Sequence, residues 1–172
     1  MLRAFRDVLG LPCWGVKRGW GSFLTLDFGE PRLVIREPIH STSESLKVRR
    51  SLSRRHVYVS GAWHFWIYDC NWVVRTGTRI VGDSSTRRRV DRGARELDGQ
   101  QQLVGVLLAK RGARTRFIFD LGSVLETRPY SRKGEQWMLF MPGRRILTFR
   151  ADRRYTLGRS DRVNSRASWK AV

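Results

Sequence analysis

Between Arg54 and Gly77 the chain reads RRHVYVSGAWHFWIYDCNWVVRTG, and few folds accommodate such a stretch. It holds Trp63, Trp66 and Trp72 together with Tyr58, Phe65, Ile67 and Tyr68. Aromatic and β-branched residues suit a pleated, half-buried surface. Trp63, Phe65 and Ile67 share one strand parity, while Trp66, Tyr68, Cys70, Trp72 and Val74 share the other. Both faces are apolar at first, and only one stays so past Asp69 and Asn71. The pattern predicts one or two central strands buried on both sides at Trp63–Ile67 and emerging toward solvent near Asp69. Gly61 marks a bulge or a turn tip.

A chain of 172 residues is most simply one domain with a substantial core. Its apolar fraction of 41% is that of a folded protein. The longest apolar runs, LVGVLLA from Leu103 and WMLFM from Trp137, have strand length and fall short of the roughly 20 residues that span a bilayer. MLRAFRDVLG at the start lacks the apolar core of an export signal. With only Cys13 and Cys70 present, the expectation is a cytoplasmic protein with reduced thiols.

Taken in order, Leu2–Leu9 reads as a short helix and LPCWGVKRGWG as a loop pinned by Trp14 and Trp20. SFLTLDF and RLVIRE alternate on either side of Gly29-Glu30-Pro31 and predict a hairpin. Ile39–Ser53 reads as a loop with a helical turn around Glu44–Arg49. After the central strands, Asp83-Ser84-Ser85-Thr86 supplies capping residues, and Val90, Ala94 and Leu97 follow at helical spacing. Strands run from there onward, with a firm turn at Pro142-Gly143. The expected fold is α+β and predominantly antiparallel β: a sandwich or partly open barrel of about eight to ten strands. One main helix lies near residues 86–98, and a short helix lies at the N-terminus. Residues 1–157 form a single β-rich domain, and 158–172 a basic, flexible tail in which Trp169 is an anchor candidate.

The charge is the extreme feature: 34 Lys and Arg against 15 Asp and Glu, a net +19. A field of that size attracts polyanions. Arg87, Arg88 and Arg89, followed by Arg92 and Arg95, fall on the predicted helix, where first-turn cations oppose the helix dipole. A second cluster holds Arg144, Arg145, Arg150, Arg153, Arg154 and Arg159, and a third Arg49, Arg50, Arg54 and Arg55. Clusters sharing one face would strengthen polyanion binding, and scattered clusters would weaken it.

No motif carries catalysis. His40, His56 and His64 lack metal-ligand spacing with one another or with the cysteines. Phosphate-loop, dinucleotide-binding, zinc-protease and serine-nucleophile motifs are absent. Asp69-Cys70-Asn71 reads first as a turn whose side chains bond the backbone. The expected function is a non-catalytic, strongly basic module engaging an anionic partner, nucleic acid or an acidic protein surface. It needs neither metal nor cofactor. Its polyanion contacts are Arg87, Arg88, Arg89, Arg92, Arg95, Arg144, Arg145, Arg153 and Arg154. One alternative is a bacterial accessory or immunity-type protein that occludes another protein through Trp14 and Trp20. Another is an enzyme with a dispersed site around Asp69 and His64.

Overall fold

The computed structural model describes residues 1–99, 101–161 and 168–172. Two antiparallel sheets face one another as an open sandwich. The larger runs, in spatial order, β1 (Cys13–Arg18), β2 (Leu24–Arg36), β3 (His56–Ile67), β9 (Glu135–Met141), β10 (Arg145–Arg150), β11 (Arg154–Arg159) and β12 (Lys170–Ala171). The smaller runs β5 (Arg79–Asp83), β4 (Cys70–Thr76), β8 (Ser123–Pro129), β7 (Thr115–Phe119) and β6 (Leu103–Leu108). The predicted α+β class is observed, with twelve strands and no barrel closure among the described residues. The N-terminal segment forms a 3-10 turn, Leu2–Phe5, and β1 occupies what the breakers suggested was loop.

Period two decides which aromatics fill the core. Trp63, Phe65 and Ile67 point inward and are buried. Trp66 departs from the core reading, because its parity places it with His64 on the outer face. Phe5 enters between the sheets, its ring centroid 5.9 Å from Phe65, 5.9 Å from Phe117 and 5.5 Å from Trp137. Trp137 stacks on Phe149 at 5.0 Å and donates its indole N–H to Thr115 Oγ1 at 3.2 Å. Buried rings of this size favour edge and offset contacts, and the indole N–H must find an acceptor.

The expected hairpin at Gly29-Glu30-Pro31 is instead a bulge in one long strand. β2 stays beside β3 on both sides of it, with Phe28 opposite Trp63 and Pro31 opposite Gly61. Gly29, at φ 73°, absorbs the extra residues. The reversal falls much later, after α1 (Leu46–Leu52), which begins on a Ser45 cap. Beyond the bulge, Pro31–Arg36 and His56–Gly61 form a two-stranded arm whose outer edges have no further partner strand among the described residues. Leu33, Ile35, Val57 and Val59 lie on one face of the arm and are all exposed.

Helix α2 (Arg87–Leu97) starts at Thr86, whose side chain accepts from Arg89 N, and ends at Asp98. It buries Val90, Ala94 and Leu97, as the spacing predicted, together with Gly93. The helix packs against β5, β1 and β4 and so covers the side of the sandwich where both sheets end. Two glycines permit that approach: a Cβ at Gly82 would collide with the backbone of Arg89 and Gly93, and one at Gly93 would fall 2.9 Å from Trp72. Gly82→Ala should therefore cost about 2–3 kcal/mol by overpacking against rigid backbone. Thermal unfolding should show a melting point lower by roughly 5–12 °C for a chain of this size. An unchanged midpoint would mean that the helix does not sit where it is drawn.

Candidate polyanion-binding face

On β8 the inward residues are Ser123, Leu125 and Thr127, so Glu126 belongs to the outer parity, yet it is buried. Three arginines cover it. Arg116 Nε donates to Glu126 Oε2 at 2.8 Å, and Arg128 Nε to Oε1 at 2.9 Å. Arg114 Nη1 stands 3.8 Å from Oε1. Pairing across β4, β8 and β7 creates this cluster: Arg116 lies opposite Glu126, and Arg128 lies opposite Asn71. The Glu126 carboxylate is 6% exposed, while the arginine side chains are 46%, 50% and 56% exposed for Arg114, Arg116 and Arg128. Burial alone would raise the Glu126 pKa, but hydrogen bonds from Arg116 and Arg128 and the charges of Arg114 and Arg128 outweigh it, holding the carboxyl below its usual range.

This face continues around the sheet edge. A cleft of about 250 Å³ joins Arg75, Arg128 and Glu126 to Asn71, Ile80 and Asp83. A second, of about 470 Å³, joins Ile80 and Arg79 to Arg92 and Arg95 of α2. Arg89 closes the band, its Nε 2.6 Å from Asp83 Oδ2. Arg79, Arg92, Arg95, Arg114, Arg116 and Arg128 are all exposed, and the cleft of Arg75 and Arg128 meets that of Arg79, Arg92 and Arg95 at Ile80.

The C-terminal arginines stand apart from α2. β10 is four strand spacings from β1, roughly 19 Å, and α2 lies on the β1 side. Arg153 donates Nη1 to Ala109 O and Gly112 O, both at 2.6 Å, and so clasps the β6–β7 turn. Arg144 and Arg159 share Asp161. Arg145 and Arg154 are exposed at that far edge. Arg49, Arg50, Arg54 and Arg55 sit on α1 and the end of the arm, where Arg55 pairs with Glu37 at 2.9 Å. Within the tail, β11 runs through Gly158 and Arg159, and Lys170–Ala171 pair back onto it. Arg150 lies 4.5 Å over the Trp169 ring. Residues 162–167 of the tail lie outside those described.

Asp69 and His64 are not brought together. Asp69 is at the β3–β4 corner, its amide donating to Glu135 O, with its carboxylate facing Gly134. His64 lies in mid-strand, its Nδ1 2.8 Å from Asp27 Oδ1. The same oxygen accepts from Ser60 Oγ at 2.9 Å and Gly61 N at 2.8 Å. Ser60 thus donates to the carboxylate and not to the imidazole, so the trio lacks the relay geometry of a serine nucleophile. Burial pushes Asp27 up, and the bonds from His64, Gly61 and Ser60 more than offset it, leaving the pKa lowered. The cluster holds the bulge of β2 against β3. Trp14 is half-buried and donates its indole N–H to Gly29 O at 2.8 Å, whereas Trp20 is exposed. Among the described residues no three His, Cys, Asp or Glu side chains converge as metal ligands.

Both cysteines are free and buried. Burial, with the nearby Asp69, pushes Cys70 up to about 12, and burial with Asp98 and Asp27 raises Cys13 further. A cleft of about 650 Å³ lies between the N-terminal turn and Trp63, Met141 and Tyr155, with Arg3, Asp7, Arg145 and Lys170 among its lining residues. No family model, no curated protein and no solved structure matches the chain.

Sequence reasoning did not single out Arg75, Arg79, Arg114, Arg116 and Arg128, which lie on separate segments that only the pairing of β4, β5, β7 and β8 brings side by side. The one available signal was strand parity, which places Glu126 and Arg128 on one face of β8 and Arg114 and Arg116 on one face of the neighbouring segment. Glu126→Gln should lower stability at pH 7 by about 1 kcal/mol, a charged hydrogen-bond contribution reduced by the half-exposed arginines. A depressed carboxyl stabilises above its unfolded pKa and loses that contribution as pH falls through the folded value. The gap between wild type and variant in urea midpoint should thus be full at pH 7 and vanish in strong acid. A gap that persists there would remove the charge from the explanation.

Proposed function

We propose that the protein is a non-catalytic basic module that binds an anionic partner, the phosphodiester backbone of nucleic acid, on the arginine-covered face of its smaller sheet. The arrangement of Arg114, Arg116 and Arg128 over one buried Glu126 carries this reading. Three guanidinium groups share a single anion, so the assembly keeps a positive excess at its surface. Glu126 orients the fork of Arg116 through Nε and that of Arg128 through Nε and Nη2, and leaves the remaining N–H groups for a ligand. Held in place before binding, these side chains lose less rotamer freedom when a phosphate arrives. Arg75, Arg79, Arg92 and Arg95 extend the positive surface beyond a single anion's footprint.

A second reading, occlusion of another protein's surface, is favoured by the exposed aliphatic face of the arm at Leu33, Ile35, Val57 and Val59. Exposed contiguous apolar patches mark contact surfaces. The readings separate cleanly, since Leu33→Ser with Val57→Ser should leave oligonucleotide binding unchanged if the arginine face is the site.

Fluorescence anisotropy with duplex and single-stranded oligonucleotides across a salt series tests the proposal. Five or six phosphate contacts give a slope of log affinity against log salt of about −4.5 to −5.4 for a duplex and about −3.5 to −4.2 for a single strand. Arg79→Ala, Arg92→Ala and Arg128→Ala should each weaken binding and make the slope shallower by about one. Arg154→Ala, on the far edge, should change little. Absence of binding at low salt would sink the nucleic-acid reading, and equal losses from Arg154→Ala would sink the site.

A further inference from the structure

Where β1 turns into β2, Trp20 stands 81% exposed. It is the rim of a cleft of about 280 Å³ lined by Gly19, Phe23, Thr25, Trp66 and Tyr68 besides itself. Phe23 and Tyr68 lie against each other at 4.4 Å and form one wall. Trp66 forms the floor side and leans on Phe140 at 5.1 Å. No charged residue lines the cleft. An indole left in water while three more rings gather beside it is a surface built for a flat, apolar guest.

Arginines of α2 flank the cleft on its β1 side. Val16 N donates to Asp98 Oδ1 at 3.0 Å, and Arg18 Nε donates to Asp91 Oδ1 at 2.9 Å. Helix α2 therefore runs beside β1 in the opposite direction, and its first turn, with Arg87 and Arg88 exposed, lies at the Trp20 end. On this same side Trp72, whose ring lies against Gly93 of α2, donates its indole N–H to Ser22 O at 2.7 Å, and its strand borders the cleft of Arg75 and Arg128. A cationic guest would meet repulsion from these neighbours, so an ammonium group is a poor occupant. A planar group carried on an anionic backbone meets attraction from them.

We propose that this cleft takes an unstacked base of single-stranded nucleic acid, with the adjoining phosphates on Arg87 and Arg88 and the strand continuing onto the arginine face. This rests on the nucleic-acid reading above and adds to it which form is bound. A duplex keeps its bases paired and stacked, and it offers no free π-face to Trp20. A single strand offers one at every position, and stacking on aromatic side chains is tolerant of sequence.

Trp20→Ala and Trp20→Phe test this, because so exposed a side chain is removable without loss of the fold, as an unchanged melting point will verify. The probes are a labelled oligothymidine and a hairpin duplex of the same phosphate count. Trp20→Ala should weaken oligothymidine binding by about 5- to 150-fold. The salt slope should stay as it was, because the phosphate contacts remain. Trp20→Phe should recover most of the loss, and the duplex affinity should not move. If Trp20→Ala leaves oligothymidine affinity unchanged, or weakens both probes alike, the cleft is not a base site while the arginine face stands. If neither probe binds at low salt, both fail together.

Discussion

Trp137, wholly shut off from water, is the contact on which the two layers depend. Its ring meets Phe117 from the opposite layer, Phe5 of the N-terminal turn between the layers and Phe149 from its own sheet, and its N–H finds Thr115 across the interior. Because aromatic rings supply so much buried area, the interior needs few charged residues to complete it. Among the described residues no Lys or Arg is buried, in keeping with that economy. A molecule carrying +19 must then manage repulsion within its own skin.

Two buried carboxylates do so, one on the outer face of each sheet, by opposite means. Asp27 is held by a peptide N–H, a hydroxyl and an imidazole, and it fixes backbone geometry at the β2 bulge. Glu126 is held by guanidinium groups alone, and it fixes side chains that still reach water. The first arrangement spends its donors internally. The second leaves donors pointing outward, which is what distinguishes a binding surface from a structural clamp.

Much of the fold was legible in the residues. Strand parity sorted Trp63, Phe65 and Ile67 into the core, and Thr86 with Val90, Ala94 and Leu97 located α2. Trp66 misled because a run of aromatics looks buried on both faces, when one face is half-covered only by its own neighbours. Gly29-Glu30-Pro31 misled because the residues that favour a turn also relieve a bulge, and only the long partner strand decides between them. The candidate site was less legible for a topological reason. Arg116 and Arg128 are twelve residues apart and meet through β7–β8 pairing, whereas Arg87, Arg88 and Arg89 are conspicuous in sequence. Arg153 shows the converse, a cation prominent in a basic run yet committed to two carbonyl oxygens.

The sealed thiols of Cys13 and Cys70 have a practical consequence. Buried and held in the protonated form at neutral pH, they are poor nucleophiles toward maleimides or disulfide reagents. A cysteine introduced on the surface would react alone. Spectroscopic labels can therefore be attached one at a time around the molecule, with the native sequence otherwise intact, to map from solution where a bound chain runs.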